Sequence, residues 1–302
     1  MSAFAFDSSR HAGRAIAVMC FGVFCLVLSD TASKWLVERY HPLQIQFVRN
    51  LIAAPVVGLI ILFSAGPRGL VSARPAIHVG RALLTIAATW SFILSLRYLS
   101  LESATALIFT APLFIAALSG PLLKEWVPRD QWVAIIVGFT GVLVIARPGA
   151  GVFDPATLLP VLAAACYAFI MIGARWIDPR DNFLTMTFYM TLLPAILCAA
   201  TLLMEWPERQ PGDLVLMAAV ALMGTLGIAC LSQAFRMASA ATVAPFDYTA
   251  LLWASLMGWL VWGTVPSVWV YAGAAIIVGS GLYLLIHESR AARRARDRSQ
   301  VP

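Results

Sequence analysis

The sequence predicts an all-α integral membrane protein with ten transmembrane helices in two inverted five-helix repeats. Of its 302 residues, 61% are hydrophobic and 12% are charged, and the mean hydropathy is +0.84. Soluble domains contain about half apolar and about a quarter charged residues. A chain with so few charges cannot cover its own surface with polar groups, so its apolar segments are expected to face lipid. The length allows about ten spans of roughly 20 residues with short links.

Apolar runs separated by proline, glycine and charged residues define the predicted helices in order. They cover residues 13–36, 42–63, 77–98, 104–123 and 131–146 in the first half, and 155–176, 183–204, 214–237, 241–262 and 268–286 in the second. The first run follows two arginines, as a secretory signal does. Its length and the lack of a small-residue cleavage pattern before Asp30 predict an uncleaved span instead. Gly138, Gly141, Gly279 and Gly281 predict close packing of the fifth and tenth helices.

An internal repeat predicts the division into halves. Lys34-Trp35, Leu43 and Phe47 align with Arg175-Trp176, Leu184 and Phe188 at one constant offset, and Ala104-Thr105 aligns with Ala241-Thr242 once extra residues are allowed in the first half. Because five is an odd number of spans, the second half crosses the membrane in the opposite direction to the first, as in alternating-access transporters. We predict repeats at residues 13–147 and 155–287, followed by a basic cytoplasmic tail at 288–302.

The basic residues predict the orientation of the chain. With the amino terminus in the cytoplasm, most lysines and arginines lie on the cytoplasmic side, while Lys34, Arg39, Arg97, Arg147 and Arg209 lie outside. An even number of spans returns the carboxyl terminus to the cytoplasm. We attribute the net charge of +6 to this orientation and to contact with anionic lipid, and we expect no nucleic-acid partner.

Charged side chains inside a span are costly and mark candidate functional sites. Arg49 lies about two turns into the second predicted helix, and Asp30 and Lys34 lie at a similar depth in the first. Asp30 is positioned to neutralise Arg49. The residues alone leave open whether this is a solute or proton site or a buried ion pair that joins two helices. Asp247 is the second candidate, because Pro245 beside it frees a backbone carbonyl to line a cavity, although hydration from the inner surface is the alternative.

Polar and aromatic side chains at span depth complete the candidate set. The predicted substrate-binding or coupling residues are Asp30, Lys34, Gln46, Arg49, Trp90, Tyr167, Gln233, Asp247 and Tyr248. The aromatic members offer flat faces to a ring-bearing ligand, and the glutamines offer hydrogen bonds to a solute or to neighbouring helices. Arg97 and Glu102 lie near a membrane face, and the four histidines fall at segment ends, so we expect these side chains to be solvated or interfacial.

The sequence lacks the short motifs that carry catalytic chemistry. It contains no H-E-x-x-H, G-x-S-x-G, Walker A or paired-aspartate metal motif, so we predict no catalytic residues, no metal and no cofactor. Its five cysteines fall within apolar segments without a C-x-x-C pair and are interpreted as small buried hydrophobes. An intramembrane enzyme remains the alternative from a different functional class.

A family resemblance rests on residues spread along most of the chain. They are Asp30, Lys34, Trp35, Pro42, Gln44, Phe47, Arg49, Glu125, the run from Ala244 to Tyr248, Trp253, Gly258 and Trp259. Together they resemble the drug/metabolite transporter superfamily of EamA type, whose members have ten helices in two inverted repeats. That family commonly carries a Gly-Glu pair after the fourth helix of each half. Here Lys124-Glu125 keeps the acid in the first half, whereas Gly263-Thr264 lacks it in the second.

The resemblance implies a fold and a function. The family fold places helices 1–4 and 6–9 around a central cavity, with helices 5 and 10 at its edge. The implied function is a secondary transporter that moves a small organic metabolite across the bacterial inner (plasma) membrane by alternating access. The branch it resembles implies riboflavin uptake, with S-adenosylmethionine uptake and efflux of amino acids or related metabolites as alternatives. The implied partners are the solute and the lipid bilayer, and a homodimer is left open.

Overall fold

The protein is built from α-helices. The computed structural model describes residues 2–64, 66–72, 74–124, 129–147, 154–173, 176, 181, 183–238 and 240–299, and within these ranges there is no strand. The first half contains α1 (Ser2–Leu36), α2 (Pro42–Ser64), α3 (Pro75–Ser95), α4 (Leu101–Ile108), α5 (Ala111–Leu123) and α6 (Arg129–Ala146). The second contains α7 (Leu158–Gly173), α8 (Phe183–Cys198), α9 (Asp213–Met237), α10 (Ala240–Val243), α11 (Thr249–Trp262) and α12 (Val268–Ser299).

Eight segments of the described chain are long and apolar enough to cross a membrane. They are Gly13–Leu36, Pro42–Ser64, Pro75–Ser95, Leu101–Leu123, Pro155–Gly173, Leu184–Leu203, Asp213–Met237 and Val268–His287. The apolar part of α6, Gln131–Ala146, is shorter. The predicted ninth span is divided between α10, a 3-10 turn at Ala244–Tyr248 and α11. The structure therefore confirms a multi-pass helical membrane protein, with eight full-length candidate spans rather than ten.

Two predicted spans are interrupted, each within its amino-terminal half. Within the fourth predicted span, α4 ends at Ile108 and α5 begins at Ala111. Pro112 lies in the first turn of α5. Pro245 stands in the 3-10 turn that interrupts the ninth. Proline has no backbone N–H to donate and its ring crowds the preceding turn, which favours a break or a kink, although α2 and α8 continue through Pro55 and Pro194. Phe109 follows Ala104-Thr105 at the same spacing as Phe246 follows Ala241-Thr242, so the two breaks match in sequence.

Helices from the first half of the chain pack mainly against helices from the second. The main pairs are α1 with α9, α2 with α8, α3 with α7, and α6 with α12. At the crossing of α1 and α9, Ser29 Oγ donates a hydrogen bond to the Val220 carbonyl oxygen at 3.0 Å. A Cβ atom on Gly22 would lie 2.7 Å from the Cβ of Cys230. Small residues therefore let these two backbones approach closely.

The pairing of α6 with α12 tests the four glycine predictions. A Cβ atom on Gly141 would lie 2.8 Å from the Gly273 carbonyl oxygen, and one on Gly138 would lie 2.5 Å from Ser280 Oγ, so both glycines permit close packing as predicted. Gly281 makes room for the hydroxyl of Tyr248. The prediction for Gly279 is wrong, because that residue is exposed and nothing lies within 4 Å of an added Cβ. Sequence spacing alone did not identify which face of α12 meets α6.

A polar cluster fastens one end of the bundle, which we call the Tyr40 end. Arg39 forms an ion pair with Asp213, and the Tyr40 hydroxyl donates to the other oxygen of that carboxylate at 2.8 Å. Gln44 Nε2 donates to the Glu205 carbonyl oxygen at 3.0 Å. Burial, followed by the hydrogen bond to Asp213, raises the pKa of Tyr40, so the phenol remains a donor near neutral pH. These contacts tie the α1–α2 link to the start of α9.

A second polar cluster fastens the opposite end, which we call the Asp181 end. Ser72 Oγ donates to Asp181 Oδ2 at 2.5 Å, and His78 Nε2 lies 3.1 Å from the same oxygen. The His78 ring stacks on Tyr189 with centroids 4.7 Å apart. The expectation of a solvated His78 is wrong, because its side chain is 1% exposed. Its position near a helix end did not show that Asp181 and Tyr189 cover it.

The other histidines and the predicted tail are described to different extents. His41 is exposed, as predicted, and His287 is half-buried beside Gln131, whose Nε2 lies 2.8 Å from its Nδ1. The His11 side chain lies outside the part that is described. The backbone of α12 continues through the predicted basic tail to Ser299, but the side chains of residues 288–302 are also outside that part.

The glycine contacts predict a pair of contrasting substitutions on α12. Gly273→Ala places a Cβ atom 2.6 Å from the Gly141 carbonyl oxygen, so the two backbones must separate. We expect a loss of stability of about 1–3 kcal/mol, as for other overpacked sites. Gly279→Ala, on the same helix but facing open space, is the control and should leave stability unchanged. Thermal unfolding of both detergent-solubilised variants checks this, and equal melting temperatures would contradict the described packing.

Candidate functional site

Asp30 and Arg49 face each other inside the bundle from neighbouring helices. Each lies about two turns, or about 10 Å, from the Tyr40 end of its helix. The carboxylate and the guanidinium interact electrostatically, but no direct ion pair joins them in the described part of the chain. Both side chains are enclosed by protein yet remain partly exposed. The two charges are therefore partly accessible within the bundle.

Arg49 reaches across to α9, where a glycine makes room for its guanidinium. A Cβ atom on Gly224 would lie 3.1 Å from Arg49 Nη2 and 3.2 Å from Ser29 Oγ. The head group of Arg49 therefore lies where α1, α2 and α9 meet. Gly224 and Ser29 were not among the residues predicted from the sequence. The available signal was a run of small residues on α9, Gly224 and Gly227, spaced to face the same neighbour.

Lys34 is held by backbone carbonyls at the Tyr40 end. Its Nζ donates hydrogen bonds to the carbonyl oxygens of Leu96 at 2.7 Å and Leu99 at 2.6 Å. The same ammonium lies 5.4 Å from the centroid of the Trp262 ring. Carbonyls at the carboxyl end of a helix attract cations because they carry the negative end of the helix dipole. Lys34 therefore joins α1 to the end of α3, and most of its donor capacity is used by the protein itself.

The burial of Glu102 contradicts the prediction that its side chain is solvated, which was made from its position in the sequence. The Glu102 side chain is 2% exposed, and its Oε2 has no hydrogen-bond partner among the described residues. That oxygen lies 2.8 Å from the position of a Cβ on Gly258, and the carboxylate interacts electrostatically with Lys34. Arg97, which was predicted to be solvated for the same reason, is exposed. The packing of α11 over α4 accounts for the burial of Glu102.

Asp247 and Tyr167 form a second group at the break between α10 and α11. Asp247 is partly exposed and interacts electrostatically with Tyr167 of α7. The Tyr167 side chain is 46% exposed. Tyr248 differs, because its ring packs 4.8 Å from the Phe109 ring and its hydroxyl is buried against Gly281 without a partner in the described chain. The structure therefore brings Asp247 to Tyr167 and directs the Tyr248 hydroxyl toward α12.

The remaining predicted residues are spread over three helices. Gln46 of α2 is buried, with no described partner for its Oε1, and Trp90 of α3 is half-buried. Gln233 is exposed and follows Gly224 on α9 by nine residues, which places it about half a turn away around the helix. The structure does not bring Gln233 to Arg49.

Glu125 and Arg175, which carried the family resemblance and the repeat, lie outside the described residues.

Arg81 of α3 was missed by the sequence analysis. Its side chain is 4% exposed, and its Nε and Nη1 have no hydrogen-bond partner in the described chain. Its Nη2 donates to the sulfur of Met190 at 3.3 Å. The sequence did contain a signal, because Arg81 is an arginine inside an apolar span. Charge inside a span was the reason for predicting Arg49 as a site residue, and it applies equally to Arg81.

Two described cavities lie apart from Asp30, Arg49 and Asp247. A groove of about 690 Å³ between α2 and α8 is lined by apolar side chains that include Leu51, Pro55 and Phe188. A second cavity of about 430 Å³ lies between α11 and α12, with Glu102 and Tyr248 in its lining. Among the described residues, no group of three or more His, Cys, Asp or Glu side chains is placed to hold a metal ion. The candidate site is therefore defined by the partly exposed charges, not by cavity volume.

The chain is similar to known proteins along most of its length. The sequence model of the EamA-like transporter family matches residues 13–147 and 155–286. The S-adenosylmethionine uptake transporter of Rickettsia felis is 28% identical over 269 residues, covering 89% of this chain and 91% of that protein. The riboflavin transporter of Vibrio cholerae is 34% identical over 223 residues, covering 73% and 74% respectively. A crystal structure with 18% identity shares the fold, with a TM-score of 0.60 over 92% of this chain and 99% of that one.

The contacts of Lys34 predict that its removal destabilises the protein. Lys34→Met deletes two charge-assisted hydrogen bonds and leaves the carbonyls of Leu96 and Leu99 unsatisfied, which we expect to cost about 2 kcal/mol or more. Arg97→Met removes an exposed cation at the same end and is the matched control. Thermal unfolding in detergent should separate the two variants. A Lys34→Met protein as stable as the control would show that these contacts do not hold α1 to α3.

Proposed function

The chain belongs to the EamA-like transporter family, and from this premise we propose that it is a secondary transporter that takes up riboflavin across the bacterial inner (plasma) membrane. Its relatives include transporters named for riboflavin and for S-adenosylmethionine, so a small metabolite is the common class of solute. The observation that carries the proposal is the pair Asp30 and Arg49. These opposite charges face each other inside a membrane protein without a direct ion pair, which leaves the donors of Arg49 available to a solute.

The proposed architecture is ten spans in two inverted repeats, at residues 13–147 and 155–287. Three observations support it. The family model matches the chain twice. The pattern of helix packing is the same for both halves. If each helix is replaced by its counterpart in the other half, the α1–α9 pair becomes the α7–α3 pair, and the α2–α8 and α6–α12 pairs are unchanged. The helix breaks near Phe109 and Phe246 also correspond. The short α6 and the interrupted α10–α11 unit supply the remaining two spans.

The proposed orientation follows from the distribution of basic residues. The Tyr40 end, which includes Lys34, Arg39 and Arg209, faces the outside, and the Asp181 end faces the cytoplasm together with both termini. Solute then enters from the Tyr40 end, where Arg49 and Asp30 lie about two turns below the helix ends. Residues 288–302 form the basic cytoplasmic tail in this orientation.

Riboflavin presents groups that match the charged and aromatic residues of the proposed site. Its ring system carries adjacent acceptors, a carbonyl oxygen beside a ring nitrogen on each side of the pyrimidine ring, which accept hydrogen bonds from the planar fork of a guanidinium such as that of Arg49. Its flat ring suits the accessible aromatic faces of Tyr167 and Trp90. Asp30 and Asp247 accept hydrogen bonds from the hydroxyl groups of its ribityl chain. Each contact is strengthened by the low dielectric of the bundle interior.

Movement of the solute uses the exchange between two similar halves. Inverted repeats give an outward-open and an inward-open state of similar energy, and interrupted helices place backbone polar groups at the bilayer midplane. In this chain the interruptions are α4–α5 and α10–α11, and the second contains Asp247. We propose that the halves rock about the bound solute. The polar clusters at the Tyr40 end and the Asp181 end open in alternation to admit and release it.

S-adenosylmethionine is the second candidate solute, because the site carries both signs of charge. That molecule has a carboxylate, an ammonium and a sulfonium, so it pairs with an arginine and with carboxylates together. Arg49 with Asp30 or Asp247 offers this combination. No described feature favours efflux of amino acids in the same way. Competition between the two solutes therefore discriminates the candidates directly.

Uptake of labelled riboflavin tests the proposal. Bacteria that lack flavin synthesis and express this chain should accumulate riboflavin saturably and recover growth, and excess S-adenosylmethionine should not compete. Saturable uptake of S-adenosylmethionine without riboflavin uptake would transfer the assignment to the second candidate. Absence of uptake with export of metabolites into the medium would contradict import.

Substitution of Arg49 tests the assignment of the solute contact. Arg49→Gln removes a partly exposed charged donor inside the bundle, and loss of one or two charge-assisted hydrogen bonds to the solute predicts a roughly tenfold to hundredfold fall in uptake efficiency. Arg97→Gln, an exposed arginine, is the control and should transport normally. Equal membrane content of both variants is required for the comparison. Normal uptake by Arg49→Gln would remove Arg49 from the proposed site.

A further inference from the structure

Two arginines of this chain stand apart from its other basic residues. Within the membrane spans that the structure describes, Arg49 and Arg81 are the only lysine or arginine residues more than one turn from a span end. Arg81 follows Pro75, the first residue of α3, by six residues, which is about 9 Å along the helix. It lies one turn beyond His78 and therefore near the Asp181 end, whereas Arg49 lies toward the Tyr40 end. The two cations thus occupy opposite halves of the membrane.

Arg81 has donors that nothing in the described chain accepts. A guanidinium carries five N–H groups on three nitrogens. Two of these nitrogens, Nε and Nη1, are buried without a partner, and the third meets only the Met190 sulfur, a weak acceptor. No described carboxylate pairs with Arg81 or acts on it electrostatically. Arg81 is therefore a buried cation whose charge the described chain does not neutralise.

Such an arrangement is costly unless a ligand uses it. A charged side chain within the bilayer costs a few kcal/mol or more, and one whose partner is missing costs more than a paired one. An arginine that served packing alone would have its N–H groups satisfied by carbonyls, as the ammonium of Lys34 is. Both forked edges of the Arg81 guanidinium include Nη2, which meets only a weak acceptor, and the other nitrogen of each edge has no acceptor in the described chain. Such an edge matches a planar pair of adjacent acceptors.

The internal repeat relates Arg81 to Arg49. At the constant offset that aligns Lys34 with Arg175, the residue that corresponds to Arg49 in the second half is Met190. Met190 is the residue that the Arg81 head group contacts. A guanidinium therefore lies beside the second-half position that corresponds to Arg49. It is supplied by α3 of the first half and not by α8. The position of the charge is retained while the residue that carries it differs.

We propose that Arg81 is a second binding site for the transported solute, nearer the Asp181 end than Arg49. It takes a planar pair of adjacent acceptors, which is a carbonyl oxygen with its neighbouring ring nitrogen in a flavin, or the two oxygens of a carboxylate. The solute leaves Arg49 as one end closes and engages Arg81 as the other end opens. This inference rests on the proposed transport function and adds to it the residue that binds solute on the cytoplasmic side.

The test compares apparent affinities measured from the two faces of the membrane. Right-side-out and inverted membrane vesicles present solute to the Tyr40 end and the Asp181 end respectively. Labelled riboflavin is used in one arm and labelled S-adenosylmethionine in the other, because the first offers a carbonyl oxygen beside a ring nitrogen and the second a carboxylate. The variants are Arg81→Gln, Arg81→Lys and Arg49→Gln, with Arg97→Gln as the control.

The expected result is an asymmetry between the two faces. Arg81→Gln should raise the KM in inverted vesicles at least tenfold and change it less than threefold in right-side-out vesicles, and Arg49→Gln should do the reverse. Arg81→Lys retains the charge without the fork and should have an intermediate KM in inverted vesicles. A structural role alone would lower the amount of folded protein and the maximal rate, but it would not raise the KM from one face only. The solute that shows the asymmetry identifies the acceptor as a flavin ring edge or a carboxylate.

Two other results would overturn the inference. In the first, Arg81→Gln has wild-type KM values from both faces of the membrane. If only Arg81→Lys folds, the same result for that variant applies. Such a result leaves the transport function standing and removes Arg81 from the solute path. The other is the absence of flux of either solute in wild-type vesicles of both orientations. That result overturns the proposed function and, with it, this second site.

Discussion

The exclusion of water from the bilayer interior is the constraint on which this structure depends. A polar group there must find a partner within the protein or remain at a high energetic cost. Helices satisfy the backbone, the carbonyls of Leu96 and Leu99 satisfy Lys34, and Tyr40 and Arg39 satisfy Asp213. Charged groups inside the bundle that lack a hydrogen-bond or ion-pair partner in the described chain, such as Arg81, therefore indicate candidate contacts for a solute.

The fold was predictable to the extent that it depends on apolar length. The first two predicted spans, 13–36 and 42–63, agree with the structure to within a residue at their carboxyl ends, because a bilayer sets the length of a helix. The breaks at Phe109 and within Ala244–Tyr248 were not predicted as interruptions, since an apolar run looks continuous in sequence whether or not its helix is broken. Proline provided the local signal at both places, but its effect depends on the backbone that surrounds it.

The candidate site was predictable only where one residue carries the signal. Arg49 and Asp30 were identified because charge at span depth is rare, and the structure brings them together. Glu102 and His78 were misjudged because depth along a helix does not reveal which neighbouring helix covers a side chain. Arg81 was missed although the same rule applied to it, and its importance depends on missing partners that only a three-dimensional structure can display.

The central claim is that this chain is a carrier whose two halves alternate access to one solute path, and countertransport tests it most directly. Proteoliposomes containing the purified protein are loaded with unlabelled riboflavin, and entry of labelled riboflavin is then followed. Alternating access predicts that internal riboflavin accelerates entry and produces a transient accumulation of label, because each return step carries solute. Entry of label that rises linearly with external concentration and does not respond to internal riboflavin would contradict the account and indicate a channel.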